Sequence, residues 1–255
     1  MRILEAPAIG EQITMGKLHF YRREFYDLER TSRLSWQEEQ ARFLSAQRLA
    51  AGELRDLYDR ASAEMDKAEA DIFAIHAMLL EDEELTAQVL DMVRDEGVTA
   101  QYAMHTVGRR LMHTFKDMED PYMRARSADI RDIMRRVILR LVHIHPDHSL
   151  TDQPVILVSK YFLPSEIMEL DRRRILGIIT TADSVDSHTA QILRSCRIPA
   201  LIGVPISAEM EGVTALMDSH TGLLYLDPTV GLTEHLRRKY ERGGCPEGAE
   251  VCAEV

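Results

Sequence analysis

The sequence predicts an α/β fold interrupted by a long helical insertion. Three observations predict it. Residues from about 28 to 145 keep apolar side chains at three- and four-residue steps, the period of helices packed on one side. After His145-Pro146 the period changes, and short apolar runs of strand length alternate with short helical segments. Residues 1 to about 24 contain Lys17-Leu18-His19-Phe20-Tyr21, a strand pattern, so the α/β part takes its first strand from before the helices.

In the helical part, Ser35 and Glu38 form a capping box. Phe43, Ala46, Ala50, Leu54, Leu57, Ala61 and Met65 then mark one buried stripe of a long helix. Further helices are expected over roughly 68–80 and 83–95. Thr99 caps a helix carrying Met104, Leu111 and Phe115. Asp120-Pro121 starts another, with Ile130, Ile133, Val137 and Leu141 on its apolar face. Four to six helices with short connections make a bundle. Beyond it, Val155–Val158 and Ile175–Thr180 read as buried strands, with a short helix over Pro164–Arg172 between them. Ser187–Cys196 reads as a helix, Ala200–Val204 and Leu223–Leu226 as strands, and the tail after about 233 as a helix running out at Gly243-Gly244.

The chain has 255 residues, 31 Lys+Arg against 42 Asp+Glu, and a formal net charge of -11. That balance excludes a general nucleic-acid binder and suits a basic protein partner. Three Cys do not build a disulfide framework, which points to a reducing cytoplasm. The N-terminus lacks a signal-peptide core, and no apolar run approaches the roughly 20 residues that span a membrane.

Ser187-His188-Thr189 stands where a loop meets a helix. The N–H groups and dipole there suit a phosphoryl group, and a histidine can carry one covalently. The plain alternative is a capping Ser187 beside an exposed His188. The same Asp-Ser-His-Thr tetrapeptide recurs at 218–221, where it reads as a turn. In His76-Ala77-Met78-Leu79-Leu80-Glu81-Asp82-Glu83-Glu84-Leu85, His76, Leu79, Leu80 and Glu83 share a face if the helix is continuous. Met and Leu beside acids would dock a basic, partly apolar partner; the alternative is a core stripe with a solvated acidic end. His143, His145 and His148 cluster without a fourth metal ligand, which favours a polar inter-domain loop over zinc. Cys245 and Cys252 lie in a Gly/Glu-rich tail, and Cys196 sits beside apolar residues.

Taken together, several separated segments resemble the N-terminal half of enzyme I of the bacterial phosphoenolpyruvate:sugar phosphotransferase system. They are Ile72-Phe73 with His76, Met78–Leu85, Ala128–Ile133, Val155–Val158, Pro164-Ser165-Glu166, Gly177–Thr180, Ser187-His188-Thr189, Ile198–Gly203 and Tyr225–Thr229. The resemblance implies a swivelling phosphohistidine α/β domain from residues 1–27 plus 146–232, and an inserted bundle over 28–145. Residues 233–255 would lead to a phosphoenolpyruvate-binding barrel, in cis or in trans. It implies that His188 is phosphorylated on Nε2, with Thr189 holding phosphoryl oxygens. It implies that His76, Met78, Leu79, Asp82, Glu83 and Glu84, with Arg126 and Arg131 beside them, dock HPr, the small histidine phosphocarrier. No cofactor is expected in the chain itself, because Mg²⁺ and phosphoenolpyruvate would belong to the barrel. No nucleic acid or membrane is expected as a partner.

Two positions depart from the family pattern. Its Gly-Gly, basic residue and Thr before Ser-His-Thr are replaced by Asp183-Ser184-Val185-Asp186. Asp removes the close backbone approach that Gly allows and sets negative charge beside a phosphoryl group. Alternatively, Asp186 orients the His188 imidazole. Leu163 stands where the family commonly has a hydroxyl residue. The expected function is phosphoryl exchange between His188 and HPr. The rival is a non-catalytic HPr-binding regulator with a degenerate loop. A domain of another phosphoenolpyruvate-using enzyme is disfavoured, because their swivelling domains lack the MLLEDEEL-bearing insertion.

Overall fold

The computed structural model describes residues 2–146 and 151–242. Strands β1 (Arg2–Glu5), β2 (Ala8–Ile9) and β3 (Ile13–Phe20) open the chain. Five helices follow: α1 (Trp36–Glu64), α2 (Lys67–Leu80), α3 (Glu83–Glu96), α4 (Ala100–Lys116) and α5 (Pro121–Leu141). Then come β4 (Val155–Ser159), α6 (Pro164–Glu169), β5 (Ile175–Thr180), α7 (His188–Ser195), β6 (Ala200–Ile202), β7 (Thr214–Asp218), β8 (Leu223–Leu226) and α8 (Val230–Arg242). The bundle thus lies between two strands of one sheet, in the order that the change of period predicts.

The helix starts follow their caps. Ser35 and Glu38 form the reciprocal box of α1, and the Thr99 side chain accepts from the Tyr102 N–H at the start of α4. Gly97 ends α3 in the left-handed region, at φ 62°. The stripe of α1 is buried from Phe43 to Ala61 and meets Phe73 and Leu80 of α2 and Ile133 and Val137 of α5.

The eight strands form one sheet in the order β1-β8-β7-β3-β4-β5-β6-β2. The run β3-β4-β5-β6 is parallel, and each neighbour there needs a crossover. The crossover from β3 to β4 is the entire bundle; α6 and α7 serve the next two. Period-two alternation assigns the faces. Val155, Leu157 and Ile178 join the core shared with α6, α7 and the bundle, while Ile156, Val158 and Ile179 pack on the other side with Met217 and Leu224. The sheet is therefore covered on the bundle side by one continuous apolar core.

Three strands lie outside the sequence expectation. β1 is mostly exposed and shows no buried alternation, β2 has two residues, and β7 is a five-residue run whose last four residues are buried. The turn reading of 218–221 holds, since the Asp218 carboxylate accepts from the N–H groups of His220 and Thr221 and from the Thr221 hydroxyl. Gly222 completes that turn at φ 75°, and a Cβ there would come within 2.4 Å of the Ala6 carbonyl oxygen. Helix α8 starts at Val230, three residues before the expected place. Of the tail, residues 243–255, with Cys245 and Cys252, lie outside the described residues, as does His148. Among the described residues no helix is long and apolar enough to cross a membrane.

Candidate functional site

The parallel strands aim their carboxyl ends at the bundle, the place where open α/β sheets commonly build their sites. The loop leaving β5 is tied down there: Thr181 N–H donates to the Ser159 carbonyl and Ala182 N–H to that of Lys160, at 3.0 and 2.9 Å. Ser187 caps α7 by accepting from the Ala190 N–H at 3.1 Å. His188 is then the first residue of α7, and its N–H and that of Thr189 have no partner within the helix.

The His188 ring is pinned from the opposite lobe. Nδ1 lies 3.0 Å from Asp129 Oδ1, on α5. An ionised carboxylate only accepts, so Nδ1 carries the proton, and in the neutral ring Nε2 keeps the lone pair. Nε2 makes no hydrogen bond and keeps some contact with solvent. Asp129 itself is fully buried. Burial alone would raise its carboxyl, but the bond from His188 and the nearness of the His76 ring outweigh it and hold the carboxyl well below the usual carboxylate range. Its second oxygen lies 3.2 Å from Arg126 Nη1. Next along α5, Asp132 accepts from the Ser165 hydroxyl at 2.5 Å and the Ser165 N–H at 3.0 Å, which fastens the bundle to α6.

Several expected roles change. Asp186 does not orient the imidazole; it is exposed, and Asp129 supplies the carboxylate. The Thr189 hydroxyl does not face an incoming anion; it donates to the Phe162 carbonyl at 2.8 Å and is buried, so its N–H is what remains. His76 is not on the docking surface. It is completely buried, edge-on to Phe73, with Nε2 3.2 Å from Asp129 Oδ1. The chain turns at Glu81-Asp82, so Glu83 starts α3 and shares no helix face with His76.

The remaining docking candidates do form a surface. Met78 is 72% exposed, Leu79 is half-buried, and Asp82, Glu83 and Glu84 are exposed at the α2–α3 corner. Arg126 is mostly buried against Asp129, and the Arg131 guanidinium lies 4.5 Å from the Tyr161 ring centre. Both line the joint rather than the outer face. Arg131 also offsets Asp183, whose carboxyl burial pushes up while the Ser184 N–H, Ser187 and Arg131 pull it down. Leu163 provides no hydroxyl; its N–H donates to Glu166 Oε2 at 2.9 Å. Glu166 also holds Arg23 through two 2.7 Å bonds. Beside these groups lies a cavity of about 320 Å³, walled by Asp132, Arg135, Arg136 and Glu166. Among the described residues no group of three His, Cys, Asp or Glu is placed to hold a metal ion.

A histidine at the carboxyl edge of a parallel sheet, facing a helical insertion, is the arrangement of a recognised class. A sequence profile for the N-terminal part of phosphoenolpyruvate-utilising enzymes matches residues 7–126, and one for their mobile domain matches residues 151–222. Within that class, the chain belongs to the enzyme I (phosphoenolpyruvate-protein phosphotransferase) family, in the form of its N-terminal part. The phosphoenolpyruvate-protein phosphotransferase of Bacillus subtilis (strain 168) is 30% identical over 241 residues, which cover 92% of this chain and 42% of that one. That of Priestia megaterium is 30% identical over 254 residues, covering 98% and 44%. The chain therefore spans less than half the length of these relatives, which are transferases by name. A solution structure of enzyme I (nEIt) superposes with a TM-score of 0.72 at 27% identity, covering 94% of this chain and 99% of that one. The N-terminal domain of enzyme 1 of the nitrogen type shares the fold, with a TM-score of 0.62 at 24% identity.

Proposed function

We propose that this chain carries a phosphoryl group on His188 Nε2 and exchanges it with HPr or an HPr-like carrier in the cytoplasm. One observation carries the reading: the Nδ1 proton of His188 is held by buried Asp129, which leaves Nε2 as the free nucleophile. The Nε2 lone pair attacks the phosphorus on the carrier's histidine in line. The phosphorus–nitrogen bond to the carrier breaks, its electron pair returns to that ring, and the bond to Nε2 forms. The Nδ1–H bond to Asp129 fixes this tautomer before the transfer, and the Nδ1 proton stays on the ring. The N–H groups of His188 and Thr189 face the incoming oxygens at the positive end of α7. Such a transfer needs positioning and electrostatics more than covalent help.

In this reading residues 1–27 plus 146–232 are the swivelling phosphohistidine unit, and 28–145 dock the carrier through Met78, Leu79, Asp82, Glu83 and Glu84. Residues 233–255 lead to a phosphoenolpyruvate-binding barrel, without which the chain does not draw on phosphoenolpyruvate. Exposed Asp186, two residues before His188, favours a second reading in which the loop no longer accepts phosphate and the chain only binds the carrier. Incubation with phosphorylated HPr, followed by intact-mass spectrometry at alkaline pH, separates the two. Transfer that disappears in His188→Ala supports the first; binding without transfer replaces it with the second.

A further inference from the structure

The resemblance to enzyme I implies a docking role for His76, and the fold buries it beside the carboxylate that holds His188 instead. Its two ring nitrogens are buried, and neither has an aligned hydrogen bond. Nε2 nevertheless lies 3.2 Å from Asp129 Oδ1, the oxygen that accepts from His188 Nδ1 at 3.0 Å. Nδ1 lies 3.8 Å from Asp132 Oδ2, whose bonds go to Ser165. Two imidazoles thus compete for one carboxylate oxygen, and His188 holds it. A buried ring with no aligned partner is an uncommon expense in a folded protein, and it calls for a state in which the partner is made.

We propose that His76 is the positioning residue that takes over Asp129 when His188 leaves it. Resting on the proposed phosphoryl role of His188, the inference supplies what that role lacks. To deliver a phosphoryl group the His188 ring must move toward the carrier, away from α5. Asp129 would then be a fully buried carboxylate left with Arg126 alone, 3.2 Å from its other oxygen. A small rotation of the His76 ring aligns Nε2–H with the vacated Oδ1. The exchange keeps the carboxylate bonded in both states, and the unaligned ring in the docked state offsets the bond that His188 gives up. His76 therefore balances the docked and released positions of His188, and touches neither the carrier nor the phosphoryl group.

Two variants test this. His76→Leu fills the site without a donor; His76→Gln restores one. With phosphorylated HPr as the donor, His76→Leu is expected to lower the rate at saturating carrier about tenfold with KM unchanged, and His76→Gln to recover most of it. A raised KM at full rate would return His76 to the docking surface and overturn the proposal. The second readout needs no carrier: ¹⁵N spectra of the imidazoles in the full chain. His188 is expected to shift toward its Asp129-bound signature in His76→Leu and back toward wild type in His76→Gln. An unchanged His188 signature in folded His76→Leu would overturn the exchange. If wild type takes no phosphoryl group, the function proposed above fails while the spectra still decide the role of His76.

Discussion

Replacing Asp129 with Asn is the most informative single change. The substitution keeps the shape and removes the charge from a site with three close partners: His188 Nδ1 at 3.0 Å, His76 Nε2 at 3.2 Å and Arg126 Nη1 at 3.2 Å. A hydrogen bond to a charged group contributes about 1.5–3 kcal/mol. The amide also donates, so it accommodates the tautomer with the proton on Nε2, which is not a nucleophile. Losing that preference for the reactive tautomer corresponds to a fall of roughly 10- to 150-fold in rate. The assay is single-turnover transfer from phosphorylated HPr, read by intact mass. Stability supplies a second signature. The Asp129 carboxyl is depressed in the folded protein, so its contribution is complete above the unfolded value, about 3.9, and is lost as pH falls below it. The Asn variant should be less stable at neutral pH and show a flatter acid limb in denaturant titrations. Wild-type transfer rates in a folded Asp129→Asn protein would refute the reasoning that the carboxylate fixes the ring.

Other changes separate packing, charge and docking. Glu166→Gln breaks the buried pair with Arg23, and should lower the unfolding free energy by about 3–5 kcal/mol in urea; a shift below ~0.5 kcal/mol would show that the pair does not brace α6. Asp186→Asn removes one exposed charge near His188; at about 1 kcal/mol for charges ~4 Å apart in water, the phosphoryl equilibrium with the carrier should move roughly fivefold toward His188. An unmoved ratio would mean that the loop charge does not act on the phosphoryl group. Met78→Ala should weaken carrier binding about tenfold, the scale of a modest interface contact, while the midpoint of unfolding stays put. Unchanged binding by calorimetry would take Met78 out of the interface.

The sequence carried the architecture further than the site. Caps such as Ser35 and Thr99 and the Pro121 start are local signals, and the helices begin where these residues stand. Strand β7 is not legible because its centre, Ala215-Leu216-Met217, consists of residues that favour helices and has no β-branched or aromatic side chain. His76 shows a different limit. Spacing says which residues share a helix face, and tertiary packing says which face is inside. The order Phe73, His76, Ala77, Leu80 is itself a buried stripe, and in retrospect it was the signal. Asp129 stands within the enzyme I-like segment Ala128–Ile133, but its partner is 59 positions away. Only the fold brings α5 under the first turn of α7.

On this reading Asp129 holds Nδ1 and leaves Nε2 to take the phosphoryl group. The most direct test is to phosphorylate the chain from phosphorylated HPr and locate the phosphorus by ³¹P–¹⁵N correlation in ¹⁵N-histidine-labelled protein. A single phosphohistidine is expected, on His188 Nε2. Phosphate on Nδ1, or on any other residue with His188 unmodified, would contradict it.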